Sequence, residues 1–179
     1  MEELILVNEN DEEIGVGEKL QTHQEGKLHR AFSIFIFNSA GRLLMQKRST
    51  SKYHSGGLWS NTCCGHPRPG EKVEMAAHRR LKEEMNFDCS LQFCSSFIYR
   101  AELDHNLIEW ELDHVFAGVY DNDPDPDEAE AEDWQWVDVN ELKAGIDAQP
   151  DRFTYWLKIA LSNLNLTTIA GLAAKEQSL

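Results

Sequence analysis

The sequence predicts an α+β fold, a mixed sandwich, and three observations predict it. Short apolar or alternating runs punctuated by turn residues fill the front half, one helical stretch sits amid the strands, and helical patterns return near the end. With 179 residues and 41% apolar content, the chain can bury one sizeable core but not two full ones. One domain over residues 1–179 is expected.

Taken in order, residues 3–8 and 12–18 read as strands about the turn formers Asn10 and Asp11. Residues 31–37 and 43–47 read as a hairpin across Asn38-Ser39-Ala40-Gly41. The pattern becomes helical over 72–85, where Val73, Ala77 and Leu81 stand four apart behind a loop containing proline and glycine at 65–70. Strands follow at 91–101 and 107–120. The acidic, proline-containing run 121–133 reads as a solvated loop without chemistry. A last strand at 132–137 leads to helices near 140–146 and 152–164, and the alanine-rich tail, 166–179, is a candidate for fraying.

A net charge of −14 argues against broad binding of nucleic acid or anionic membrane, since both require a basic face. Any anionic substrate must be met by locally gathered cations or metal ions. The longest apolar stretches, around 31–37, fall far below the roughly 20 residues of a membrane span, and Met1-Glu2-Glu3 lacks the basic start of a signal peptide. A cytoplasmic protein is expected. Cys63, Cys64, Cys89 and Cys94 form neither a disulfide framework nor paired zinc spacing. Adjacent cysteines rarely bridge each other without strain, and free thiols suit a reducing compartment.

The strongest local signal is Gly65-His66-Pro67-Arg68-Pro69-Gly70-Glu71, then seven residues, then Arg79-Arg80-Leu81-Lys82-Glu83-Glu84-Met85-Asn86-Phe87. This segment resembles the Nudix box, Gly-x5-Glu-x7-Arg-Glu-U-x-Glu-Glu-x-Gly-U with U apolar. The resemblance implies a Nudix-like α/β/α sandwich around a mixed sheet. In it a loop leads into a helix whose carboxylates hold a hard cation bridging two phosphates. Two positions depart from the pattern. Asn86 replaces the terminal glycine, and asparagine tolerates the left-handed conformation at a helix end. Arg80 replaces the first acid of the Arg-Glu-U-x-Glu-Glu segment, which removes a metal ligand and offers a phosphate clamp instead. Binding of an intact diphosphate is thereby favoured over its hydrolysis. On an arbitrary helix, Arg80 and Glu84 would be a surface ion pair contributing roughly a few tenths of a kcal/mol. Inside this box they read as functional.

Immediately upstream stands Trp59-Ser60-Asn61-Thr62-Cys63-Cys64-Gly65-His66-Pro67, and downstream Tyr99-Arg100-Ala101 precedes Glu109-Trp110-Glu111. Together these resemble the signatures of type I isopentenyl-diphosphate isomerases, over a stretch from Lys19 to Trp156. The resemblance implies an enzyme that interconverts isopentenyl and dimethylallyl diphosphates and feeds isoprenoid biosynthesis. Such a reaction adds a proton to one carbon of an unactivated alkene and removes another two carbons away, through a tertiary cation-like species. The resemblance implies Cys64 and Glu111 as the flanking acid/base pair, with the donor and acceptor roles open. It implies Tyr99 beside the carboxylate, and Trp156 over the hydrocarbon, where a π face meets developing positive charge. Taken singly, Cys64 and Cys63 would be small buried hydrophobes and Trp156 helix core. The combined motif reverses that reading for Cys64 and leaves it for Cys63.

The same resemblance implies His23, His29, His66, Glu109 and Glu111 as ligands of a divalent metal, with Mn, Zn and Mg all open. Glu109 and Glu111, two apart on a predicted strand, share a face and can converge on one ion. Glu84 corresponds to the residue binding a second ion, Mg²⁺, with the substrate's diphosphate, where Cys64 adds its backbone carbonyl. Lys19, Arg48, Lys52 and Arg80 correspond to basic positions near that diphosphate. His54, His78, His105 and His114 receive no role. The competing reading is a Nudix diphosphate hydrolase, which needs another carboxylate in place of the one missing at Arg80. A third, a non-catalytic diphosphate-binding module, leaves the acid/base set without a use. The expected partner is a small isoprenoid diphosphate, with no nucleic acid and no membrane, and the oligomeric state is open.

Overall fold

Eight of the nine residues of His29–Phe37 are buried, Arg30 being the exception, and this strand is the spine of the molecule. Side chains alternate across a strand, so its parity decides what it touches. Phe32, Ile34 and Ile36 pack with Ala76, Ala77, Leu81 and Met85, while Phe35 and Phe37 pack with Val139, Leu142, Leu157, Leu166 and Ile169. The computed structural model describes residues 2–52 and 54–176. Its strands are β1 (Glu3–Val7), β2 (Glu13–Glu18), β3 (His29–Phe37), β4 (Leu43–Arg48), β5 (Trp59–Ser60), β6 (Cys63–Gly65), β7 (Gln92–Glu102), β8 (Ile108–Val119) and β9 (Ala131–Val137). The helices are α1 (Lys19–Glu25), α2 (Val73–Met85), α3 (Val139–Ala148), α4 (Tyr155–Asn163) and α5 (Leu166–Glu176).

β3 runs antiparallel to β1, β4 and β6 and parallel to β8 over its whole length, from His29 opposite Glu111 to Phe37 opposite Val119. β7 covers the far side of β8, and β4 pairs with both β5 and β9. The sheet is therefore mixed, with α2 on one face and α3, α4 and α5 on the other, the expected α/β/α arrangement. The hairpin expected from 31–37 and 43–47 exists only at its mouth, where Phe37 meets Leu43. Beyond it the strands part, because β6 pairs with β3 from Phe32 to Ile34 while β4 turns to β9.

The loop before α2 is tied to the helix by Arg79, whose Nε and Nη2 donate to the two oxygens of Glu71 at 2.8 and 2.9 Å. α2 ends at Asn86, which takes the left-handed conformation at φ 56° as its sequence position requires. Leu81 is fully buried between α2 and β3. Leu81→Ala should therefore cost about 3 kcal/mol of unfolding free energy, read as a lowered midpoint in a urea titration with the slope unchanged.

The short strands β5 and β6 were not expected from the sequence, and three helices differ from the expectation. Lys19–Glu25 is helical although it offers only Leu20 as an apolar anchor. Its ends make it so: the Glu18 carboxylate accepts from the backbone N–H groups of Leu20 and Gln21, and Gly26 closes it at φ 61°. A Cβ at Gly26 would also lie 3.1 Å from Ile108. The helix expected over 152–164 begins only at Tyr155, because Phe153 bridges to Trp59 and the Thr154 N–H donates to the Trp59 carbonyl at 3.0 Å, holding both residues extended. Residues 166–176, expected to fray, form α5, docked through the buried side chains of Leu166, Ile169 and Ala173. Residues 177–179 of that tail lie outside the described residues. Among the described residues no single helix is long and apolar enough to cross a membrane.

Candidate active site

The parity that faces α4 and α5 in the core presents polar groups at the other end of the same strands. On β8 the buried residues Val115, Ala117 and Val119 give way to Asp113, Glu111 and Glu109. On β3, Phe35 and Phe37 give way to Ser33 and His29. Register then assembles the neighbours: His29 and Tyr99 stand opposite Glu111, and Cys64 stands opposite Ser33. These groups meet at a cleft of about 530 Å³. Every site residue singled out from the sequence lines this cleft except His29, which is fully buried beside Glu111.

His23, His29, His66 and Glu111 form a cluster whose potential ligand atoms all lie within 4.8 Å of one another. The imidazoles are prepared for that use. Nδ1 of His23 lies 2.7 Å from the Lys19 carbonyl, and Nδ1 of His29 lies 2.9 Å from the Lys27 carbonyl. A carbonyl only accepts, so both rings carry their proton on Nδ1 and offer the Nε2 lone pair. Nε2 of His29 is buried without a hydrogen-bond partner, which a metal ion would remedy. Burial pushes His23 down from the usual imidazole value, and pushes His66 down to about 4, keeping both neutral as ligands must be. Glu109, the fifth expected ligand, stands outside this group of four, its Oε2 3.1 Å from the Tyr99 hydroxyl.

The Tyr99 hydroxyl donates to Glu111 Oε2 at 2.6 Å, and His66 Nε2 reaches Glu111 Oε1 at 3.0 Å. Burial raises the Glu111 carboxyl, but the flanking His29 and His66 imidazoles, 3.4 and 3.0 Å from its Oε1, outweigh it and hold the group well below the usual range. Glu109 goes the other way, pushed well up by burial and then by the charge of Glu111. Such divergence between adjacent carboxylates is characteristic of acid/base sites. The Cys64 thiol is driven well above its ordinary value, first by burial and then by Asp113. Gly65 lets this strand approach β3: a Cβ there would stand 2.9 Å from the Phe32 ring.

Of the four expected basic residues, all of which line the cleft, three carry acidic partners. Lys19 pairs with Glu2 at 2.8 Å, and Lys52 with Glu130. Arg80 bonds to Glu84 at 2.5 Å, Glu83 at 2.7 Å and Glu130 at 3.2 Å. Arg48 lies 5.0 Å from the centroid of the Trp156 ring. Gln46 Nε2 holds the other oxygen of Glu84 at 2.8 Å. The cleft thus gathers these four cationic side chains in a strongly acidic chain, beside the carboxylates that pair with them.

Some residues in and beside the cleft were not singled out from the sequence. Glu130 belongs to the acidic run read as solvated loop, yet its carboxylate joins Lys52 and Arg80. His54 had no role and lies in the cleft with its ring edge-on to Trp156 at 5.9 Å. Ser33 and Asp113 are joined at 2.8 Å beside Cys64; the same-face spacing of Glu109, Glu111 and Asp113 was the available signal for the latter. His114 instead pairs with Asp11 at 3.0 Å and His78 with Asp88 at 2.6 Å, away from the cleft. Cys63 is fully buried, as a small hydrophobe would be.

The NUDIX domain family model matches residues 27–157. A protein of Photorhabdus laumondii subsp. laumondii named Isopentenyl-diphosphate Delta-isomerase 2 is 53% identical over 166 residues, 93% of this chain and 94% of that one. One of Aromatoleum aromaticum named Isopentenyl-diphosphate Delta-isomerase 1 is 55% identical over 163 residues, 91% and 92% of the two chains. Among solved structures, a MutT NUDIX hydrolase from Burkholderia pseudomallei shares the fold with a TM-score of 0.59 at 19% identity, over 77% of this chain and 98% of that chain. A crystal structure from Deinococcus radiodurans gives 0.69 at 25% identity, over 82% and 90%. The fold is thus common to hydrolases, whereas the sequence identity across nine-tenths of the chain is not. On that evidence the chain belongs to the isopentenyl-diphosphate Delta-isomerase family and carries its chemistry on a Nudix domain.

Proposed function

We propose that the chain, acting as one unit, interconverts isopentenyl diphosphate and dimethylallyl diphosphate, with Cys64 and Glu111 moving the protons. The observation that carries this reading is the placement of the pair. The Cys64 thiol, bonded to Asn61 Oδ1 at 3.2 Å, and the Glu111 carboxylate, held by Tyr99 at 2.6 Å and His66 at 3.0 Å, line a common cleft, so a thiol and a carboxylate can flank one substrate as its acid/base pair.

In one direction the alkene's π pair forms a new C–H bond with the donated proton, and the C–H pair two carbons away becomes the new π bond as its proton leaves. No net proton is gained or lost, and the reverse direction exchanges the roles. The cation-like species between these steps lies against the Trp156 ring. Tyr99, donating to Glu111 at 2.6 Å, stabilises the carboxylate and can pass a proton to it.

His23, His29, His66 and Glu111 would hold a divalent metal, with Glu109 completing the set, and three imidazoles suit Zn or Mn better than Mg. Its positive charge would fix the orientation of the Glu111 carboxylate and lower its basicity. The substrate's diphosphate, entering with Mg²⁺, is met by Glu84, the Cys64 carbonyl, Lys19, Arg48, Lys52 and Arg80. Arg80 stands where a hydrolase would carry a carboxylate, so the same wall grips the diphosphate without supplying a base to cleave it.

Incubation with isopentenyl diphosphate and Mg²⁺ in heavy water, followed by NMR, should give deuterated dimethylallyl diphosphate without phosphate release. Phosphate release alone would establish a hydrolase, and neither product from metal-replete protein would leave only a binding module.

A further inference from the structure

Asn61 is 1% exposed, and its side-chain amide is fully engaged. Nδ2 donates to the Ile34 carbonyl at 3.1 Å and to the Cys63 carbonyl at 3.0 Å. Both partners only accept, so the amide cannot be flipped, and Oδ1 is the atom that faces Cys64. The Cys64 thiol donates to it at 3.2 Å. Ser60, 2% exposed, donates its hydroxyl to the same oxygen at 3.1 Å. The Ser60 Oγ in turn accepts the indole N–H of Trp156 at 2.8 Å, and Thr154 Oγ1 lies 3.3 Å away. A buried amide is costly unless satisfied. This one is satisfied by anchors on the sheet and leaves one oxygen directed at the thiol.

We propose that Asn61 is a positioning residue that aims the Cys64 thiol, and that Ser60 ties its acceptor oxygen to the Trp156 indole. The proton-handling thiol and the aromatic wall of the cleft are then held as one unit. The inference rests on the roles given above to Cys64 and Trp156. The diphosphate is gripped by other groups, so losing this link should misplace the reacting groups without weakening substrate capture. A small misplacement of that kind is expensive for the chemical step.

The test measures kcat, KM for isopentenyl diphosphate, inhibition by pyrophosphate and thermal midpoint for Asn61→Ala, Ser60→Ala, Trp156→Phe and the Ser60→Ala/Trp156→Phe pair. Asn61→Ala should lower kcat about 100-fold and Ser60→Ala about fivefold, with KM and pyrophosphate inhibition unchanged in both. Phenylalanine lacks the indole donor, so adding Ser60→Ala to Trp156→Phe should cost less than Ser60→Ala costs alone. Should Asn61→Ala fail to fold, Ser60→Ala decides, since it leaves both carbonyl anchors of Asn61 intact. Unchanged kcat in Ser60→Ala, or a raised KM at constant kcat, overturns the proposal, and strictly additive losses overturn the link to Trp156. Inactive wild-type protein would instead refute the assigned function, whereas active wild type with equally active variants refutes this inference alone.

Discussion

Cys64→Ala protein should isomerise about 10³ to 10⁴ times more slowly than wild type and still bind Mg²⁺ and pyrophosphate as wild type does. The backbone carbonyl at position 64 survives the substitution, and the thiol's hydrogen bonds run to Asn61 and Ser33 and not to the cations Lys19, Arg48, Lys52 and Arg80. What is lost is the Cys64 proton position, with Sγ bonded to Asn61 at 3.2 Å and near Ser33 at 3.6 Å. Alanine fits that space without new contacts, so the thermal midpoint should change little. A matched Cys89→Ala variant, altered at a thiol outside the cleft, controls for cysteine loss in general. Measured turnover within tenfold of wild type would remove Cys64 from the proton transfer and leave the carboxylate to act with another partner.

The longer strands and α2 were legible because alternation and four-residue spacing are local properties, whereas β5 and β6, two and three residues long, are too short to show a pattern. α1 was not, because its helicity comes from the Glu18 cap and the Gly26 terminus rather than an apolar stripe. α5 was missed for a related reason: an alanine-rich segment shows its packing face only when the core that receives Leu166 and Ile169 is known. In the site, Cys64 was singled out through the family resemblance of its motif, and the Glu109/Glu111 pair also through its same-face spacing on a strand. Glu130 could not, because a carboxylate in an acidic run looks like its solvated neighbours until Lys52 and Arg80 are found beside it. Asn61 lay inside the motif, but its task is visible only through Trp156, 95 residues away in sequence and tied to it through Ser60.

Glu111→Gln tests whether proton transfer and the histidine cluster are one assembly. Glutamine keeps the volume and can still accept from Tyr99, but it cannot take up a proton or meet His29 and His66 with a full negative charge. Turnover should fall about 10⁴-fold, and metal retained per chain, measured by elemental analysis after dialysis, should fall with it. Glu109→Gln should be milder, about 10- to 100-fold, because Glu109 stands outside the group of four and glutamine keeps an oxygen that accepts from Tyr99. His23→Ala separates the two functions of Glu111, for it removes a cluster ligand and leaves the carboxylate, Tyr99 and Cys64 in place. Metal lost together with turnover would mean that the carboxylate handles protons only when held by the cluster. Metal lost with turnover retained would break the assembly apart and leave Cys64, Tyr99 and Glu111 as the acid/base machinery by themselves.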